Sequence, residues 1–242
     1  MDCCWITLTN WRYQGLMFPA KLPIISQPSL VNNYSIAFDG TNDYVDGIGN
    51  CPTGNFTVSA WALNTHTGSN PFHAIYSAAT ELWIGVKVGT GSYGYVGVHI
   101  GAQSIFITEA ETFTMDAWNH VVVTWDGTNG KIWINGVLGE TSTSGQNPSA
   151  TAPRIGQYST TTGNAWVGNI DEVSIWSVAL EGSDIGVIYN SGTPIDITTA
   201  YSDNLVGYWR FEEGTGTDAA DSSGNDNDGT LNNATWSTIV PG

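Results

Sequence analysis

The sequence predicts an all-β protein: a sandwich of two antiparallel sheets, entered through an extended N-terminal arm. Three observations carry this. From Tyr34 onward, short β-branched and aromatic runs alternate with Gly, Asn and Asp clusters, the pattern of strands joined by tight turns. Strand-like runs do not alternate with long helix-like ones, so a parallel sheet with crossover helices is not expected. Finally, Trp118-Asn-His-Val-Val-Val-Thr-Trp125, Asp126-Gly-Thr-Asn-Gly130 and Lys131-Ile-Trp-Ile-Asn-Gly-Val137 read as strand, turn and strand. Asp-Gly and Asn-Gly supply the positive backbone angles that tight hairpins need.

The elements follow in order. Residues 1–33 hold Pro19, Pro23 and Pro28 among Trp5, Trp11, Leu16, Met17 and Phe18. The prolines oppose a regular helix or a central strand, and the apolar groups oppose a free tail. An extended strap is expected, packed on its own sandwich or on a neighbouring subunit. Residues 34–242 form the sandwich. Ser35-Ile-Ala-Phe38 runs into the Asp39-Gly40 turn, and Tyr44-Val45 follows. Phe56-Thr-Val-Ser-Ala-Trp-Ala62 alternates with period two, which places Phe56, Val58 and Ala60 on one face. Leu82–Val86, Tyr95–Ile100, the hairpin, Arg154–Gly156 and Val167–Trp176 supply further strands. Ala179–Tyr189 offers a helical turn or two. Residues 201–242 contain an aromatic strand, a glycine turn and the carboxylate-rich loop Asp221-Ser-Ser-Gly-Asn-Asp-Asn-Asp-Gly229.

Composition bounds the partners. The 242 residues carry 22 acids against six Lys plus Arg, a formal charge of −16. Duplex nucleic acid needs basic neutralisation to bind, so it is excluded, and anionic membrane surfaces are disfavoured. Multivalent cations are favoured. Met1–Asn10 has an early acid and no cationic region, unlike a secretory signal, and no segment is long and apolar enough to span a membrane. Cys3, Cys4 and Cys51 form neither a disulfide framework nor zinc spacing, so free thiols are expected.

Four motifs in order, Phe38-Asp-Gly-Thr-Asn-Asp-Tyr-Val45, Trp118–Gly127, Ile132-Trp-Ile-Asn-Gly136 and Gly168-Asn-Ile-Asp-Glu-Val-Ser-Ile-Trp-Ser-Val-Ala-Leu180, resemble the laminin-G-like (concanavalin A-like lectin/glucanase) family of jelly rolls. The resemblance covers about residues 34–190 and implies a jelly-roll sandwich. One departure stands out. The segment from Trp209 to Leu231 resembles one that usually precedes the Phe-Asp-Gly strand, yet here it follows it. It either folds back to complete its own sandwich, as in a circular permutation, or adds strands to a neighbour.

The resemblance also implies a structural calcium at the 221–229 loop. Calcium takes six to eight hard oxygens, and the expected donors are Asp221 and Asp228 by carboxylate and Asn225 by amide or carbonyl. Asp39 and Asp171, from the matched motifs, are further candidates. The competing reading is an acidic turn in which Asp and Asn cap backbone amides.

No catalytic site is expected. Glucanases of this type need two carboxylates about 5–9.5 Å apart, whereas Asp171 and Glu172 are adjacent and would point to opposite faces of a regular strand. Glu212 and Glu213 share that problem, and His66, His73, His99 and His120 are dispersed. The expected role is a non-enzymatic, surface-displayed structural or adhesion subunit of a virion or extracellular filament, self-associating or joined to other surface subunits. The alternative is a carbohydrate-binding module, with Trp83, Tyr93, Tyr95, Tyr158 and Trp166 as stacking candidates that could equally fill the core. A glycan hydrolase is a distant third.

Overall fold

The structure is a computed structural model that describes residues 30–67, 70–88, 93–101, 104–107, 113–159 and 164–242. The arm expected over residues 1–33 falls outside these, except for its last four residues.

The strands are β1 (Ser35–Asp39), β2 (Tyr44–Asp46), β3 (Phe56–Asn64), β4 (Asn70–Ala78), β5 (Leu82–Val88), β6 (Tyr93–Ile100), β7 (Ser104–Ile107), β8 (Phe113–Thr114) and β9 (Trp118–Trp125). They continue as β10 (Gly130–Ile134), β11 (Val137–Ser142), β12 (Arg154–Ile155), β13 (Val167–Trp176), β14 (Leu205–Trp209), β15 (Asp218–Ala219), β16 (Gly229–Asn232) and β17 (Thr235–Ser237). Two short helices, α1 (Gly182–Tyr189) and α2 (Ile197–Ala200), lie between β13 and β14. One sheet runs β11-β10-β9-β3-β13-β1-β17, with β14 also on β13. The other runs β15-β16-β2-β12-β4-β5-β6-β7, with β8 on β6. Every pairing is antiparallel. The two-sheet jelly-roll sandwich expected from the sequence is therefore present.

The core lies between the sheets and follows the strand period. On β3 the residues Phe56, Val58, Ala60 and Ala62 point inward, and Val121, Val123 and Trp125 of β9 meet them. On β5 and β6 the inward set is Leu82, Ile84, Val86 and Val88 with Val96, Val98 and Ile100. Each fully buried large side chain of this kind contributes about 1.5–3 kcal/mol. The expected hairpin pairs as β9 with β10, Trp125 opposite Gly130 and Val121 opposite Ile134. A second apolar cluster packs outside the first sheet. There Ile185 and Ile188 of α1, with Ile195, Ile197 and Tyr208, cover Val122 and Trp176.

The C-terminal strands pair within the same chain. β16 lies on β2 and β17 on β1. β1 takes the first half of one side of β13, opposite residues 167–170, and β14 the second half, opposite residues 173–176. β14 and β1 thus run end to end in one direction. At the junction Arg210 Nη2 donates to Val31 O at 2.8 Å, and Glu212 Oε1 accepts from the Asn33 and Tyr34 N–H groups at 2.8 and 3.0 Å.

The change of partner strand leaves a mark on β13. Its register shifts between Asp171 and Ser174, and Glu172 adopts φ +48°. Regular alternation fails there, correcting the expectation that Asp171 and Glu172 face opposite sides with ordinary strand geometry. Both are buried, at 0% and 4% exposure.

Candidate functional site

The second sheet builds the site. With the even residues of β5 and β6 committed to the core, Trp83, Gly85 and Lys87 of β5 and Tyr95, Gly97 and His99 of β6 face outward. The ladder sets Trp83 opposite His99 and Gly85 opposite Gly97. The two glycines matter for a steric reason. A Cβ at Gly97 would lie 2.7 Å from the Phe72 ring and 3.3 Å from the Trp83 ring, and one at Gly85 2.7 Å from Trp83. Large aromatic rings can therefore lie against the sheet.

Phe72 from β4 stands edge-on to Trp83, with centroids 4.7 Å apart and planes at 89°. His99 stands at the same angle, 6.3 Å away. The loop between β12 and β13 supplies Tyr158 and Asn164. It is tied to β4 and the residue that follows it: the Ala74 N–H donates to Asn164 O at 2.9 Å and the Ala79 N–H to Ser159 Oγ at 2.5 Å. Phe72, Trp83, His99, Tyr158 and Asn164 line one groove of about 210 Å³. Trp83 is only 6% exposed and forms the floor, while Phe72, His99 and Tyr158 are half-buried and present the contact surface. Burial pulls the His99 pKa down. A neutral imidazole offers one N–H donor and one acceptor nitrogen. A buried indole N–H normally finds a partner, yet Trp83 Nε1 has none among the described residues. An apolar, aromatic concavity with a few polar groups is the general form of a small-ligand site.

Of the aromatic candidates read from sequence, the structure brings Trp83 and Tyr158 to this groove. Trp166 goes elsewhere: it is fully buried and donates through Nε1 to Leu63 O at 3.1 Å and Asn169 O at 3.2 Å. Tyr95 sits on the same sheet face, opposite Lys87, but does not line the groove. The side chain of Tyr93 lies outside the described residues. Phe72, His99 and Asn164 were not singled out as groove residues. The one signal was the outward pattern Trp-x-Gly followed by Tyr-x-Gly-x-His on adjacent strands.

The metal candidates do not meet. Asp39 Oδ1 accepts from the Thr41 N–H at 2.7 Å, the turn role of an Asp before Gly. Asp171 is sealed in β13, where Oδ2 accepts from Asn32 Nδ2 at 3.0 Å and Oδ1 from the Glu172 N–H at 2.9 Å. Burial and the neighbouring Glu172 push its pKa well up. In the 221–229 loop, Asp221 Oδ1 accepts from the Tyr208 and Ser223 N–H groups, both at 2.9 Å. Its Oδ2 accepts from Ser223 Oγ at 2.8 Å and the Asn227 N–H at 3.1 Å. Asp228 Oδ1 accepts from the Asp221 N–H at 2.8 Å, and Asn225 Nδ2 donates to Leu205 O at 2.8 Å. Asp221, with about four acceptor positions, is thus filled by N–H and O–H donors. Among the described residues, no three His, Cys, Asp or Glu side chains converge as a metal cage. In this geometry Asp221 serves as the centre of an acidic turn; calcium at Asp221, Asn225 and Asp228 is a proposal that melting with and without chelator decides.

A second polar centre lies under α1 and α2. The Tyr208 hydroxyl donates to Glu172 Oε2, and Arg210 Nε stands 3.8 Å from Glu172 Oε1. Burial pushes the Glu172 pKa up to about 8 against the opposing effects of Tyr208 and Arg210. Ser59 Oγ and His120 Nε2 are 2.8 Å apart, and burial pulls His120 down to about 3. Glu172, His120, Ser59 and Tyr208 line a cavity of about 10 Å³. It has room for one water at most, so a sugar cannot reach Glu172 there.

Comparisons with known proteins place the fold. A solved protein from Bacteroides ovatus ATCC 8483, provisionally described as carbohydrate-binding, superposes with a TM-score of 0.66 at 20% identity over 88% of this chain. This chain spans 62% of that protein's length. The heptameric SAP-like pentraxin of Limulus polyphemus matches with a TM-score of 0.56 at 19% identity, over 67% of this chain and 84% of the pentraxin. The enzymatically active domain of the bacteriophage CBA120 tailspike protein 2 matches with a TM-score of 0.55 at 12% identity, over 81% of this chain and 35% of the tailspike chain. No curated protein matches by sequence. At these identities the structural matches speak for the fold. The profile of a laminin-G family, described as the concanavalin A-like lectin/glucanases superfamily, matches residues 39–186; the chain belongs to that superfamily.

Proposed function

We propose that this protein is a carbohydrate-binding module, and that the groove of Phe72, Trp83, His99, Tyr158 and Asn164 is its glycan site. The groove itself carries the reading. Sugar rings offer C–H faces to aromatic side chains and hydroxyls to amides and imidazoles, and both kinds of group meet here. The provisional description of the Bacteroides ovatus protein supports it. A glycan array comparing the protein with Tyr158→Ala and His99→Ala tests the proposal. Binding by the parent protein that both substitutions weaken about tenfold or more is expected, the loss of roughly 1.4 kcal/mol or more of contact energy. Binding that both leave unchanged would move the site elsewhere.

A second reading, self-association as a surface-displayed subunit, has one observation of its own. Among the described strands, β11 ends its sheet and exposes Val137 and Leu138, at 67% and 44%. Such edges invite strand addition. The two roles are compatible, since a displayed subunit can hold a glycan. The arm on which assembly was expected to depend lies mostly outside the described residues.

A further inference from the structure

We infer that the groove takes a single uncharged sugar ring, so that the protein recognises neutral glycan ends and not the interior of a polysaccharide or an acidic glycan. This rests on the carbohydrate reading above and adds the class of ligand. Three features of the groove argue it.

The first is charge. Among the described residues, none of the five that line the groove is Lys, Arg, Asp or Glu. Carboxylate- or sulfate-bearing sugars are held by charge-assisted bonds, most often from Arg. Two cations among these residues lie on this sheet face without lining the groove: Lys87, opposite Phe72 in the β4–β5 ladder, and Arg154, which donates to Gln157 Oε1 at 3.0 Å and lies over the Tyr44 ring. A protein of net charge −16 adds long-range repulsion against an acidic ligand.

The second is size and shape. About 210 Å³ lies below the roughly 300–1,000 Å³ of sites that enclose drug-sized ligands. Phe72 and His99 both stand at right angles to the Trp83 plane. The indole is therefore the floor of a corner, not one step in an open aromatic stripe along which a chain could lie.

The third is polar chemistry. Burial favours the neutral imidazole of His99, which donates from one nitrogen and accepts at the other. Asn164 can do the same through its amide, and Tyr158 through its phenol. Trp83 Nε1 is itself buried and is not counted among these groups. These groups match hydroxyls, which both give and accept hydrogen bonds, better than they match carboxylates, which only accept.

The test is calorimetric or NMR titration of the full chain with D-glucose, D-galactose and N-acetylglucosamine, their β-linked di- and trisaccharides, and D-galacturonic acid and 3′-sialyllactose as the acidic arm. Expected is binding of at least one neutral monosaccharide, with its trisaccharide within about threefold in affinity and the acidic sugars at least tenfold weaker. Tyr158→Ala, a change at a half-buried loop residue that spares the floor, should weaken that binding at least tenfold with an unaltered circular dichroism spectrum. A trisaccharide preferred tenfold or more over its monosaccharide, or an acidic sugar bound as well as a neutral one, overturns this inference while leaving the carbohydrate reading intact. No binding across all arms overturns both.

Discussion

Replacing Asp221 with Ala removes the fastening between the 221–229 loop and β14. Four donors converge on that carboxylate: the N–H groups of Tyr208, Ser223 and Asn227, and Ser223 Oγ. Neighbouring bonds share the same attachment. The Ser222 N–H donates to Tyr208 O at 2.7 Å, and Trp209 Nε1 donates to Asn227 O at 2.9 Å. Trp209 is almost fully buried in the core, so slack in the loop reaches the sandwich. Asp221 is half-buried, and water can replace part of what is lost. Taking each bond near 0.5–1.5 kcal/mol, with losses that overlap, Asp221→Ala should cost about 2–4 kcal/mol. At 2–4 °C per kcal/mol for a domain of this size, that is a fall of about 4–16 °C in Tm. Asp221→Asn keeps the shape but turns an NH2 toward N–H donors, and should lose nearly as much. Thermal unfolding followed by fluorescence checks both. A change within about 1 °C, the range of inconsequential surface substitutions, would refute the role given to these bonds. The same instrument addresses calcium. With Asp221 filled by donors, chelator should leave the parent protein's Tm unchanged. A chelator-induced fall that added calcium reverses, and that Asp221→Ala abolishes, would establish the metal.

Other outcomes follow from the buried acid and the sheet edge. Burial raises Glu172 from 4.5 to about 8, so the folded state holds a proton that the unfolded chain releases. The stabilisation this proton confers is complete below about pH 4.5 and is lost as pH rises through 8. Urea unfolding between about pH 5 and 9 should therefore show stability declining with pH. Glu172→Gln should flatten that decline beyond what general charge repulsion produces, and an unchanged slope would contradict the buried-acid account. If the β11 edge mediates self-association, the double substitution Val137→Lys and Leu138→Lys should convert an oligomer to a monomer by native mass. An unaltered mass would exclude that edge.

How far the sequence was legible depended on the range of the signal. The β9–β10 hairpin was readable because its turn chemistry and alternation are local. The helical stretch before Tyr189 was readable because apolar spacing marks it. β13 read as one strand, and its bulge did not, because the break at Asp171–Glu172 arises where β1 gives way to β14, strands far apart in sequence. That long-range event also explains why two acids expected on opposite faces are buried together. The carboxylate-rich loop was legible as a turn or a metal site. Only the direction of the Tyr208, Ser223 and Asn227 N–H groups separates the two. Trp83 and Tyr158 stood out as aromatics near turns, whereas Phe72 and Asn164 reach the groove through pairing and loop anchoring that leave no local pattern. Trp166, which looked similar, turns inward because Leu63 O and Asn169 O await its indole N–H.

A sugar that enters the Trp83 groove must sit against its indole. Labelling the indole nitrogens of all 11 tryptophans with ¹⁵N, and identifying Trp83 by its loss in Trp83→Phe, gives a direct view during titration with a neutral monosaccharide. The Trp83 Nε1–H signal should shift saturably while those of Trp166 and Trp209, held to backbone carbonyls in the core, stay in place. A titration in which another indole moves and Trp83 stays still would contradict the groove as the glycan site.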